Sequence, residues 1–121
     1  MRLGGLLIFD VWYGPAVLRQ GPSERVKLIP TDTGQILRVA SGELDVARHL
    51  CKVSYRLWRI EGERLTGHAE ETHLMRFFFP LELNLFLECS GFIPLRLGVF
   101  PDIDRDPETG IWNVLGLARA V

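Results

Sequence analysis

Along the 121-residue chain the period of apolar positions changes several times, and each change marks an element. Leu6, Leu7, Ile8, Phe9 and Val11 form an apolar run without alternation, which suits a strand covered on both faces, as in a parallel sheet. The following "GPAVLRQGPSERV" is punctuated by Gly14, Pro15, Gly21 and Pro22 and reads as a loop or one short helical turn. "QILRVASGELD" reads as a strand ending at a turn around Ser41 and Gly42. From Leu50 the pattern alternates, with Cys51, Val53, Tyr55 and Leu57 on one side and Lys52, Ser54 and Arg56 between them, as expected of a half-buried antiparallel strand. Glu61-Gly62-Glu63 offers a glycine able to take positive φ, so the run from Leu65 to Phe78 folds back, and residues 35–78 read as a three-stranded antiparallel meander.

At Phe79-Pro80 the period changes to that of a helix. Proline suits the first helical position, Leu81, Leu83, Leu85, Phe86 and Leu87 supply an apolar face, and Gly91 stands where a helix-ending glycine belongs, which predicts one main helix over 80–90. "FIPLRLGVF" and "IWNVLGLARAV" read as two strands joined by the polar connection "PDIDRDPETG", a hairpin with a long, solvated loop. The fold class expected is α+β, a single domain over residues 1–121 with a mostly antiparallel sheet and one main helix.

Composition narrows the function. Lys and Arg number 14 against 15 Asp and Glu, so no basic field argues for nucleic acid or an anionic membrane. The opening apolar run ends at Asp10, short of the ~20 residues of a membrane span and without a cleavage pattern, so it reads as a core strand. Cys51 and Cys89 fit neither a disulfide framework nor a metal-ligand spacing, which points to a cytoplasmic protein with two buried thiols. His49 and Cys51 at i,i+2 lack convergent ligands nearby, and Asp102, Asp104, Asp106 and Glu108 lack the glycine and distal glutamate of a calcium loop, so no metal is expected.

Three stretches taken together carry a resemblance: "LGGLLIFDVWYGP", then "ETHLMRFFFPLELNLFLECSGF", then the terminal "WNVLGLARAV". In order and spacing they resemble the C-terminal half of a class I S-adenosylmethionine-dependent methyltransferase, most closely the branch acting on small molecules such as sugar amines and glycine. The resemblance covers nearly the whole chain. It implies a partial Rossmann-like sheet in which the opening run is the fifth strand, residues 35–78 an antiparallel insertion, and the last two runs the sixth and seventh strands.

In that family the cofactor is held by the N-terminal half, through a glycine-rich turn after the first strand and an acidic residue after the second. This chain has no such turn, since "LGG" lacks a strand before it and a helix after it. The resemblance therefore implies a methyltransferase-like protein truncated to its substrate-side half, beginning at Met1, with no cofactor expected for the chain alone and no catalysis of its own. Two alternatives stand beside it: an active subunit completed by a separate cofactor-binding chain, and a non-enzymatic ligand-binding or interaction module. An apolar strand without its outer neighbour predicts a homodimer through the exposed sheet edge or face. A small-molecule ligand is the other partner expected, and neither nucleic acid nor a membrane is.

Asp10, Trp12 and Tyr13 fall at the C-terminal end of the opening strand, where open α/β sheets place their ligand crevice. The resemblance gives this end to the substrate, and an aromatic pair beside a carboxylate suits an amine. The competing reading is that the rings cap the core and Asp10 bonds loop amides. His73 and Arg76, with Glu70 and Glu71 upstream, form a second constellation. His73 is the candidate general base and Arg76 a candidate substrate contact, against a strand whose polar side chains pair across the meander.

Overall fold

The computed structural model describes residues 2–121, and the chain falls into two compact units, one formed by the residues up to Gly21 with Arg76–Val121, the other by Pro22–Met75. Seven strands and two helices follow in the order β1 (Leu6–Tyr13), α1 (Gly14–Gln20), β2 (Arg25–Pro30), β3 (Gln35–Asp45), β4 (Leu50–Glu61), β5 (Arg64–Phe78), α2 (Pro80–Cys89), β6 (Phe92–Val99) and β7 (Asn113–Ala120). Strand β5 contributes its body to the second unit and its last residues to the first.

In the first unit the hydrogen-bonded order is the end of β5, then β1, β7 and β6. β1 pairs antiparallel with β7 from Leu6↔Arg119 to Trp12↔Asn113, and β7 pairs antiparallel with β6. On its other side β1 meets β5 in parallel only at Trp12↔Phe77 and Tyr13↔Phe78. Two bonds fix the phase of the ladder: Tyr13 N–H donates to the Trp112 carbonyl and Ala120 N–H to that of Gly5. Odd-numbered residues of β1 thus turn their backbone groups toward β7, and Leu6, Ile8 and Asp10 turn theirs to the open edge.

The pleat also decides burial, and here the structure corrects the sequence reading. The opening run is not covered on both faces. Leu6 is 53% and Ile8 65% exposed, while Leu7, Phe9 and Val11 lie on the better-covered face opposite Ala118, Gly116 and Val114. A cluster of Ala16, Val17, Phe77, Leu83, Val99, Val114 and Ala118 forms the core of this unit. The glycine at 116 is demanded by packing, because the Phe9 ring occupies the space that a Cβ there would need.

α2 starts as predicted, with Pro80 in its first turn and the Glu82 carboxylate accepting from the Phe79 N–H at 3.0 Å. Its last helical residue is Cys89 rather than 90, with Gly91 beyond at φ 86°. The apolar face is narrower than the pattern implied, since Leu81, Leu85 and Phe86 are exposed and only Leu83 is buried. Cys89 is exposed as well, so a single thiol is buried, that of Cys51. Burial pushes the Cys51 thiol up, partly opposed by a backbone hydrogen bond at Glu43. That contribution to stability is held below the ordinary thiol range and is lost as pH rises through the elevated value.

The hairpin of β6 and β7 is as expected, but its loop is fastened rather than merely solvated. Arg96 donates from Nε to the Ile103 carbonyl at 2.8 Å and pairs through Nη1 with Asp106 at 2.8 Å.

The second unit holds β2, β3 and β4 in antiparallel ladders, with β5 next to β4. β3, β4 and β5 correspond to the three runs read from sequence, except that β3 runs straight through Ser41 and Gly42, both paired to β4, instead of turning there, and Gly62 takes φ 61° at the β4–β5 turn. Two elements differ from the expectation: α1 is a seven-residue helix, so there is a second helix, and β2 is a strand where none was read. β2 is six residues long, ends at a proline and leaves Val26 65% and Leu28 57% exposed, so neither length nor burial announced it.

Replacing Gly116 with alanine should force the Phe9 ring out of its slot and cost about 1–3 kcal/mol. Urea unfolding would read this as a lowered midpoint with an unchanged slope, and an unaltered midpoint would contradict the packing described.

Candidate functional site

At the C-terminal end of β1, Trp12 meets not Tyr13, its neighbour on the opposite face of the strand, but Trp112, which is bonded to Gln20, two residues the sequence did not single out. Trp12 stands edge-on to Trp112, ring centroids 5.2 Å apart and planes at 67°. The Trp112 indole N–H donates to the side-chain oxygen of Gln20 at 2.6 Å, and the Gln20 amide donates in turn to the Gly110 carbonyl at 3.4 Å. Tyr13 N–H donates to the Trp112 carbonyl at 2.6 Å, which locks the two tryptophan-bearing segments side by side. Trp112 and Gln20 lie 100 and eight positions after Trp12. Only the closing of β7 onto β1 makes Trp112 a neighbour, and that pairing was the available signal.

Asp10 precedes Trp12 by two positions on the same face, opposite Leu115. It is exposed, and its carboxylate has no hydrogen-bond or ion-pair partner among the described residues. The end of β1 thus presents a free carboxylate beside an aromatic pair, a combination that can receive an ammonium group.

Arg76 is already engaged. Its Nη1 donates to the Phe77 carbonyl at 3.1 Å and to Glu82 Oε1 at 3.2 Å, and the guanidinium lies 4.3 Å from the Phe78 ring centroid and 5.5 Å from that of Phe86. It ties the end of β5 to the first turn of α2, while Glu82 also caps Phe79.

His73 belongs to the second unit. Its Nε2 lies 3.3 Å from Glu71 Oε2, and its ring meets Tyr55 edge-on at 6.0 Å. His68, on the same strand, stacks on Trp58 at 5.4 Å.

Does any part of this chain suit S-adenosylmethionine? The turn from β1 into α1 carries Gly14, where a close backbone approach to a ligand would require open space. A Cβ on Gly14 would instead come within 2.7 Å of the Phe79 ring, so that space is filled by the protein itself. The described residues of the β1–α1 turn do not fit the cofactor. Among the described residues no group of three or more His, Cys, Asp or Glu converges on a metal position, and no helix is long and apolar enough to cross a membrane. A groove of about 230 Å³ lies under α2, between Leu83 and Leu87 on the helix and Phe9, Leu97 and Gly116 on the sheet.

No family model and no curated protein matches the sequence. Solved structures do match the fold. An S-adenosylmethionine-dependent methyltransferase from Clostridium acetobutylicum superimposes with a TM-score of 0.74 at 15% identity, over 98% of this chain and 46% of that one. An amino pentose methyltransferase of calicheamicin biosynthesis from Micromonospora echinaspora gives 0.73 at 15% identity, over 100% and 46%. The sugar N-methyltransferase from Streptoalloteichus gives 0.67 at 17% identity, over 98% and 44%. The chain spans less than half the length of these methyltransferases. It has the fold of a partial S-adenosylmethionine-dependent methyltransferase.

Proposed function

We propose that these 121 residues are the substrate-side half of an S-adenosylmethionine-dependent methyltransferase acting on a small-molecule amine, and that the chain alone does not transfer methyl groups. The observation that carries this reading is the match of essentially the whole chain to 44–46% of several methyltransferases, two of them named for amino-sugar or sugar-nitrogen chemistry. Asp10 and Trp12 on one face of β1, joined by Trp112, form the wall that receives the amine, with the carboxylate offsetting its charge and the rings stacking against it, while Tyr13 ends the strand on the other face. Arg76, bonded to Glu82, is a candidate substrate contact of the first unit, and His73 is the candidate base carried by the second. Methyl transfer takes most of its rate from holding the sulfonium in line with the attacking nitrogen, and these residues include no glycine-rich turn of the kind the resemblance gives to the cofactor half.

The polypeptide of residues 1–121 should therefore give no heat of binding when titrated with S-adenosylmethionine and no methylation of glycine or amino sugars. Stoichiometric binding of the cofactor would contradict this reading.

Alone, the chain pairs its open β1 edge with a second copy. The backbone groups of Leu6, Ile8 and Asp10 are self-complementary in an antiparallel arrangement about Ile8, and the exposed Leu6 and Ile8 side chains gain cover from it. Sedimentation equilibrium should show a dimer at micromolar concentration that Ile8→Lys, at an exposed position, converts to a folded monomer. A wild-type monomer under the same conditions would contradict it.

A further inference from the structure

Asp10 and Arg119 lie on one face of the first unit, both exposed, and neither has a hydrogen-bond or ion-pair partner among the described residues. They cannot meet within one chain. Arg119 stands opposite Leu6, and Asp10 is four residues further along β1, about 13 Å away at the rise of a strand. Between them the face is apolar, with Leu6, Ile8 and Leu117.

The open edge of β1 supplies the missing contact. Its unpaired backbone groups are those of Leu6, Ile8 and Asp10, because β5 takes over at Trp12. Ile8 is the midpoint of that stretch, so two copies that pair antiparallel along all of it meet Ile8 to Ile8 and set Leu6 opposite Asp10 of the second copy. Directly opposite residues share a face, and the row across the seam reads Arg119, Leu6, Asp10 of the second copy. Two strand spacings separate the charged pair, about 10 Å at the backbone. An arginine whose methylene stem lies over Leu6 brings its guanidinium to the carboxylate across that gap. The two-fold axis repeats the pair at the other end of the seam, with the exposed Leu6 and Ile8 side chains of both copies between the pairs. Centring the pairing on Asp10 instead would set two carboxylates opposite one another, which disfavours that register.

We propose that self-association through β1 masks the amine-receiving wall: Arg119 of each copy locks onto Asp10 of the other and withdraws the carboxylate from any ammonium group. The inference rests on the reading that Asp10 receives an amine, and adds that the amine and the second copy compete for it. Each should weaken the binding of the other by the same factor. Trp12 lies two positions beyond Asp10 on the same face and reports on the occupancy of the carboxylate.

Sedimentation equilibrium at low ionic strength tests the lock, with the wild type beside Asp10→Asn, Arg119→Gln and the charge exchange that combines Asp10→Arg with Arg119→Asp. Each single variant should dimerise about fivefold more weakly or worse, since both symmetric pairs are lost, and the charge exchange should recover wild-type association. Both positions are exposed, so all three variants should keep the fold. Full-strength dimers in both single variants, a charge exchange that associates no better than they do, or a wild type that stays monomeric would overturn the proposal. The second arm adds ethylammonium chloride, with sodium chloride at equal concentration as the control. In the dilute monomer it should change the tryptophan fluorescence of the wild type and not that of Asp10→Asn, and at micromolar protein it should shift the wild type toward monomer. No fluorescence response would overturn the amine reading, whereas a response without any shift of the dimer would overturn the masking alone.

Discussion

The antiparallel pairing of β1 with β7 is the constraint on which the first unit depends. It seats Phe9 over Gly116, brings Trp112 against Trp12, and aligns β7 so that β6 and its fastened loop can follow. The same pairing satisfies every second backbone group of β1 and turns the others outward, where the parallel contact with β5 lasts for only two residues. A ladder satisfied on one side and open on the other is half of a central strand's requirement.

The proposed function rests on where that ladder ends. The end of β1 is the point at which an exposed carboxylate, two tryptophans and a glutamine collect, because the hairpin and α1 all terminate there. Arg76 and Glu82 fix the neighbouring corner between β5 and α2. By contrast the second unit has a thin core, in which Cys51 is buried to 1% and Pro22 closes over Gly42.

Much of the fold was legible because its signals are local. Alternation in β4, the Glu61-Gly62-Glu63 turn, the Pro80 start of α2 and the polar connection before β7 each act within a few residues and each gave the right element. What was missed needed partners distant in sequence. Leu6 and Ile8 look as buried as Leu7 and Phe9 in an unbroken apolar run, and only the missing neighbour on one face exposes them. β2 has weak strand character of its own and is held by β3. The strand end that carries Asp10, Trp12 and Tyr13 was readable, whereas Trp112 and Gln20 come beside it through the β1–β7 pairing and a helix too short to signal itself.

The central claim is that the outer edge of β1 is unoccupied by the chain's own residues and available to another strand. Residue-resolved amide exchange, followed by NMR across a dilution series, tests it most directly. The account predicts that Leu7, Phe9 and Val11 stay protected at every concentration, while Leu6, Ile8 and Asp10 are protected only when the chain is self-associated and exchange rapidly on dilution. Uniform protection of all six amides in the dilute monomer would contradict it, because the chain would then be covering that edge itself.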